Sequence, residues 1–333
     1  NHIRELSSRF NLGQPSGGTE RVYGGFHHKM WRLEAGGHSY AVKQLSAYTD
    51  LCDSDVVTHY NVSERVAESL SARGIPAVAA LRIGTDYLQL INGTGYLVYH
   101  WCRGSALPRT QLDESHALKI ARLAAKMHRA QIDVPGVRQT RFDPHPTEQI
   151  EPLLQRTRDC PVLAQRQLFQ HLNCFAAIND ACPAAAQILR RHMVIGHGDL
   201  DQKNVLWDEQ HEPAIIDWES TRLLNPTFEL INMGLDWSGI SSNFDTELFS
   251  KMLAGYQESG GVIEAEFLQP ALACIKTDWL IWLLYITALC LERDDLHRRE
   301  VEAAQIDMVS ATLLRLDRLS AQLLDIARAA ING

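Results

Sequence analysis

The sequence predicts an α+β chain of two lobes, and three observations carry that prediction. Residues 19–101 are dense in strand-like runs broken by glycine turns, with one helical stretch among them. Beyond Gly104, apolar residues recur at helical spacing almost to the end of the chain. A single section, Val194 to Leu224, lacks helix character. Helices and strands do not strictly alternate, which is the α+β pattern. The reading is a small N-terminal lobe at 1–101, a hinge at about 99–104, and a larger, mostly helical lobe at 105–333.

Taken in order, Arg21-Val22-Tyr23 and Lys29 to Leu33 read as strands around Gly24-Gly25-Phe26-His27-His28. Gly36-Gly37 turns the chain into a third strand, Ser39 to Lys43. Val56 to Arg73 reads as a helix stopped by Gly74 and Pro76. Val78 to Ile83 and Tyr96 to Tyr99 complete a small antiparallel sheet with one packed helix. In the second lobe, Leu118, Ala121, Leu123, Ala125 and Met127 mark a helix over 115–130. Helical signals return over 161–193 and from Glu264 to the end. The apolar run Trp279 to Leu291 falls short of the roughly 18 residues a membrane span needs, and Asp278 and Glu292 bracket it. We read it as a buried core helix.

Composition narrows the function. The 333 residues carry 32 Lys and Arg against 40 Asp and Glu, a net charge of −8. That balance argues against general nucleic-acid binding, which needs a basic footprint on the phosphates, and tolerates a cationic ligand. Seven scattered cysteines without a C-x-x-C pair read as reduced thiols, and the N-terminus has no apolar signal region. Cytoplasmic localisation with no membrane partner is the expectation; nothing in the sequence fixes the oligomeric state.

The chemistry concentrates in Ile195-Gly196-His197-Gly198-Asp199-Leu200-Asp201-Gln202-Lys203-Asn204-Val205-Leu206, followed by Ile215-Ile216-Asp217-Trp218-Glu219. Asp199 sits in a glycine-flanked loop with Asn204 five positions on. The runs 205–207 and 214–216 pair as a hairpin that returns Asp217 to the same mouth. Asn204 and Asp217 offer two hard oxygen ligands that suit Mg²⁺, an ion that keeps waters and is shared with substrate phosphates. Asp199 is left to accept a proton from an attacking hydroxyl. Such a set performs phosphoryl transfer, in which positioning and charge neutralisation supply most of the rate.

The motif H-G-D-L-x-x-x-N followed by I-D-W-E resembles the aminoglycoside phosphotransferase and choline kinase superfamily, relatives of the protein kinases. The resemblance covers most of the chain and implies a bilobal protein-kinase-like fold. Gly198 after the histidine is closer to the antibiotic-kinase branch. The resemblance implies Asp199 as catalytic base, Asn204 and Asp217 as metal ligands, and His197 as organiser of the loop. It also implies Mg²⁺ and ATP or GTP as co-substrate. Lys43, near the end of its strand, stands where a kinase lysine reaches the α- and β-phosphates. Its expected carboxylate partner is Glu64, with Glu68 one helical turn away as the alternative. Gly24, Gly25 and His28 belong to the loop expected over the triphosphate, and the base is expected on the backbone of Tyr99, His100 and Cys102. Tyr99 stands where kinase-like folds put a gatekeeper. With its ring turned away ATP binds normally; turned inward, it narrows the pocket and favours guanine. Two positions depart from the family pattern. Glu229 in Pro226-Thr227-Phe228-Glu229-Leu230-Ile231 replaces an Asp that braces the catalytic loop. Lys203 stands where Gly is frequent and reads as a solvated side chain, with phosphate contact as the alternative.

The acceptor is the least legible part. Glu219, Asp236 and Asp278 are the acidic candidates for a cationic substrate, such as an aminoglycoside or amino alcohol. Trp218, Trp237, Trp279 and Trp282 are aromatic candidates by cation–π attraction, each with core packing as its ordinary alternative. The function read from the sequence is a small-molecule kinase that uses a nucleoside triphosphate. The alternatives are a kinase acting on a protein or glycan, and an inactive nucleotide-binding module.

Overall fold

Glycine turns and caps set the first half of the fold. The computed structural model describes residues 2–22, 28–293 and 295–332. It begins with α1 (His2–Arg9), β1 (Glu20–Val22), β2 (Lys29–Ala35) and β3 (His38–Gln44). Gly36 and Gly37 join β2 to β3 at φ +57° and +82°, a left-handed turn that glycine enters without a Cβ clash. Helix α2 (Ser54–Ser71) starts at Asp53, whose carboxylate accepts the Asp55 N–H. β4 (Gln89–Ile91) and β5 (Thr94–His100) follow, giving an antiparallel sheet of order β1-β2-β3-β5-β4.

The sheet register decides which side chains share a face. Lys43 lies opposite Leu97, and Ala41 opposite Tyr99. Period-two alternation therefore puts these four on one face and Tyr40, Val42, Tyr96 and Val98 on the other. The second group forms a core with Leu6, Leu12 and Leu33. On the first face, Leu97 joins Tyr60, Ala80, Tyr87 and Leu88, with Tyr99 packed against them. One element near this sheet differs from the sequence reading. Residues 78–83 form no strand: Val78 N–H donates to Ile215 O and Leu81 N–H to Val98 O, single bonds to different neighbours and not a ladder. The fourth strand lies later, at 89–91.

The rest of the chain runs β6 (Ser105–Ala106), α3 (Glu114–His128), α4 (Thr147–Asp159), α5 (Leu172–Leu189), β7 (Val194–Gly196), β8 (Val205–Trp207), β9 (Pro213–Ile215), β10 (Arg222–Leu224), α6 (Pro226–Trp237), α7 (Thr246–Glu258), α8 (Ala265–Glu292) and α9 (Leu296–Asn332). The helix expected over 161–193 is shorter, because Gln167 adopts φ +51° and splits the stretch into 3-10 turns before α5. Helix α8 is long and apolar enough to cross a membrane by length and composition. Leu280, Leu283, Leu284 and Ile286 of α8 are buried in one cluster with Phe175, Ile306, Val309 and Leu313.

Two compact units result. One comprises Asn1–Leu112, Ala130–Arg138 and His197–Arg222; the other comprises Asp113–Arg129, Gln139–Gly196 and Leu223–Gly333. The segment 197–222, read from sequence as part of the second lobe, groups with the first unit. Its hairpin β8–β9 pairs with β6, and Ile215 forms a parallel bridge to Ala77.

Candidate active site

The loop after β7 is organised by a buried imidazole. His197 is fully buried; its Nδ1 accepts the Asp199 N–H at 3.3 Å, and its Nε2 lies 3.0 Å from the Ile216 carbonyl. An imidazole that accepts at Nδ1 donates at Nε2, so the network assigns the neutral tautomer. One ring thus ties the backbone of Asp199 to the residue before Asp217. Gly198 adopts φ +82°, and a Cβ there would come within 2.1 Å of the Ser220 carbonyl oxygen. Only glycine fits that approach. Asn204 Nδ2 donates to the Asp199 carbonyl at 2.8 Å and to its carboxylate Oδ2 at 3.0 Å. The Ile216 N–H donates to Asn204 O at 2.9 Å, linking the two segments again.

Asp217 carries backbone strain. Its φ and ψ are +63° and +60°, in the left-handed region that few non-glycine residues enter, Asp and Asn more readily than most. Residues held this way cluster at functional sites. Lys43 Nζ reaches Asp217 Oδ1 and Glu219 Oε2, each at 2.7 Å. Burial opposes the lysine's charge, but the two carboxylates outweigh it and hold the pKa above the ordinary lysine value. Burial likewise works to raise the Glu219 pKa. The hydrogen bond from His28 and the Lys43 charge overcome it, and the carboxyl falls to about 2.

The expected Lys43–Glu64 pair is not formed. Both Glu64 oxygens are already taken, Oε1 by the Tyr99 hydroxyl at 2.6 Å and Oε2 by the Ala80 N–H at 2.7 Å. Burial dominates there and pushes the Glu64 pKa up to about 7, against those two donors. Glu68, the alternative, instead accepts from the Tyr87 hydroxyl and Arg82 near the surface. Tyr99 turns toward α2 to reach Glu64, and burial, then the Glu64 charge, keep its phenol protonated well above the usual pH.

His28 Nδ1 accepts the Ser46 N–H at 3.0 Å, which leaves Nε2 to donate to Glu219 at 3.1 Å. His59, which the sequence reading did not single out, holds the Glu219 carbonyl at 2.7 Å. No spacing rule marks it, since α2 meets the 218–220 turn only through the fold. Lys203 is half-exposed, yet it bridges Asp199 and Asp201 where a purely solvated side chain is expected. Gly24 and Gly25 lie outside the described residues, as do Phe26 and His27. In the expected hinge, the Trp101 N–H donates to Ser39 O at 3.0 Å, His100 is exposed beside the Tyr40 ring, and Cys102 is half-buried.

The substrate candidates separate. Glu219 is engaged with Lys43 and His28 in the first unit, while Asp236 lies on α6 and Asp278 on α8 in the second. Trp218 is a core residue, 4.6 Å from the His197 ring, and Trp237 is buried too. Trp279 and Trp282 sit together on α8 with centroids 5.3 Å apart, Trp282 exposed.

The model of the APH phosphotransferase enzyme family matches residues 21–268. The chain belongs to this family. It is a kinase-type phosphotransferase with an alcohol group as acceptor, and its α+β bilobal fold is that of the protein-kinase-like enzymes. Solved structures of similar fold include a spectinomycin phosphotransferase in complex with ADP and spectinomycin. It is 12% identical with a TM-score of 0.67, covering 94% of this phosphotransferase and 97% of that chain. Amicoumacin kinase in complex with AMP-PNP, Ca²⁺ and amicoumacin is 13% identical, TM-score 0.66, covering 96% and 94%. A choline/ethanolamine kinase family protein from Mesorhizobium loti is 15% identical, TM-score 0.57, covering 95% and 99%. No curated protein matches the sequence significantly.

Proposed function

We propose that this phosphotransferase moves the γ-phosphoryl group of ATP or GTP to a hydroxyl of a small cationic molecule, an aminoglycoside or an amino alcohol. The supporting observation is the single connected network of Asp199, Asn204, His197, Ile216, Asp217 and Lys43 in one unit of the fold. In this reading Asp199 accepts the acceptor's hydroxyl proton as its oxygen bonds to the γ-phosphorus. The bond from that phosphorus to the β,γ-bridging oxygen breaks, and the nucleoside diphosphate leaves. Lys43 exchanges its carboxylate partners for the α- and β-phosphates. Asn204 and Asp217 would hold Mg²⁺, which when bound neutralises phosphate charge. The donor set fits, with one amide and one carboxylate oxygen, and the Asp217 carboxylate already holds a cation in the Lys43 ammonium.

A net charge of −8 is compatible with a cationic acceptor. Spectinomycin, choline and ethanolamine in the names of the neighbours point to antibiotics and amino alcohols as the first acceptors to test. The experiment is a screen of nucleoside-diphosphate release over aminoglycosides, amino alcohols and neutral sugars. An amine-bearing acceptor should give the fastest release, and D199N should turn over about 10²–10⁴-fold more slowly with nucleotide binding nearly intact. Near-normal turnover by D199N would remove Asp199 from the role of base, and a neutral sugar as best acceptor would remove the cationic preference.

A further inference from the structure

The catalytic loop carries a cation that the phosphoryl-transfer reading leaves without a task. Asp201 caps the 3-10 turn at Gln202–Asn204, and its carboxylate holds Lys203 twice: Oδ1 accepts the Lys203 N–H at 3.0 Å, and Oδ2 meets Nζ at 2.6 Å. So anchored at both ends, Lys203 brings Nζ to 3.2 Å from Asp199 Oδ2. Asn204 Nδ2 donates to that same oxygen.

We propose that Lys203 is a positioning residue for the proposed base: together with Asn204 it pins Oδ2 of Asp199 and turns Oδ1 toward the acceptor hydroxyl. The inference rests on the reading of Asp199 as base. Two features favour it over an ordinary surface ion pair. The lysine backbone and ammonium are held by one carboxylate, which limits where Nζ can go. Two donors from consecutive residues converge on one oxygen, which fixes the rotation of the carboxylate about its last bond. Asp201 thus serves as the anchor that keeps Lys203 on Asp199, and Asn204, which meets Asp199 through Nδ2, keeps its side-chain oxygen Oδ1 for the metal. Because the lysine side chain is 56% exposed, its removal should not unfold the protein, as exposed ion pairs contribute little to stability.

A double-mutant cycle tests this, since a residue acting through another loses its effect once that other is gone. Parent, K203M, K203R, D199N and K203M/D199N are compared by ADP release from MgATP. Spectinomycin and choline serve as acceptors, and water serves as acceptor where neither is used. K203M should lower kcat about 10–100-fold with the KM for ATP within about twofold of parent, the signature of a lost transition-state interaction. K203R should recover most of that loss, and K203M should add less than about twofold on top of D199N. Three results overturn the proposal: K203M with parent kcat, a loss of the same size in the D199N background, or an effect carried mainly by the KM for ATP. The last would make Lys203 a phosphate ligand. Failure of the underlying reading looks different, because then D199N itself turns over like parent.

Discussion

Glu64 and Lys43 face the same region of the small sheet, yet each has taken other partners, and the difference is one of desolvation. Lys43 is buried but surrounded by two carboxylates, so its charge is retained. Glu64 is buried with two neutral donors, and burial wins. Its folded-state pKa of about 7 lies above the ordinary 4.5, so the folded chain binds its proton more tightly than the unfolded one. The stability it contributes is complete below about pH 4.5 and is lost as pH rises through about 7. The parent should therefore lose stability relative to E64Q between pH 5 and 8, by up to about 3 kcal/mol. Denaturant melts of both proteins at the two pH values measure this. A constant difference would mean that Glu64 ionises normally. The same residue explains the turn of Tyr99: its hydroxyl, buried, needs an acceptor, and Glu64 supplies one. Of the two poses that the sequence left open, the ring takes the turned-away one.

At the scale of elements, the second unit holds a buried chain of polar groups on α3, α6 and α7. The Tyr256 hydroxyl lies 2.8 Å from His128 Nδ1, and His128 Nε2 lies 2.7 Å from Glu229 Oε2. Glu229 Oε2 would meet a Cβ on Gly196 at 2.2 Å, so the carboxylate packs directly on the residue that ends β7 and precedes His197. The additional methylene of Glu229, relative to the Asp of the family pattern, is accommodated by that glycine and by the reach to His128. E229D should withdraw the carboxylate from His128 and leave a buried N–H without its acceptor. The expected loss is about 1–3 kcal/mol, read as a lower midpoint in urea with an unchanged slope. An E229D midpoint equal to parent would show that the shorter acid reaches the same partners.

At the scale of the molecule, the family match ends at residue 268, while the three solved structures named above cover 94–96% of the chain at 12–15% identity. The shared fold therefore extends past the family match into α8 and α9. A helix pair needs apolar residues at the right spacing and little else. Leu313 on α9 is fully buried in the cluster with Leu280, Leu283, Ile306 and Val309. L313A should cost about 2–5 kcal/mol, the range for an emptied leucine site. Its turnover per folded molecule should stay at the parent level. A thermal midpoint unchanged in L313A would contradict the packing; a selective loss of kcat would assign these helices a part in the reaction.

The sequence by itself determined the α+β class, the order of the first three strands and α2, and the residues of the loop and of Asp217. Each of these is set by local chemistry. Glycine at φ +57° and +82° makes a turn wherever it occurs, a cap needs only its own helix, and His197-Gly198-Asp199 with Asn204 is a contiguous motif. The tertiary structure alone decided who pairs with whom. Lys43 pairs with Asp217 and Glu219 while Tyr99 and Ala80 occupy Glu64, and sequence spacing does not encode contacts across 174 and 176 residues. Residues 78–83 carried strand-like residues but found no neighbouring strand to complete a ladder. Lys203, solvated by its residue type, became a bridge because Asp201 folds back on it. Apolar periodicity is a property of a segment, whereas the partner of a buried charge is a property of the packed whole.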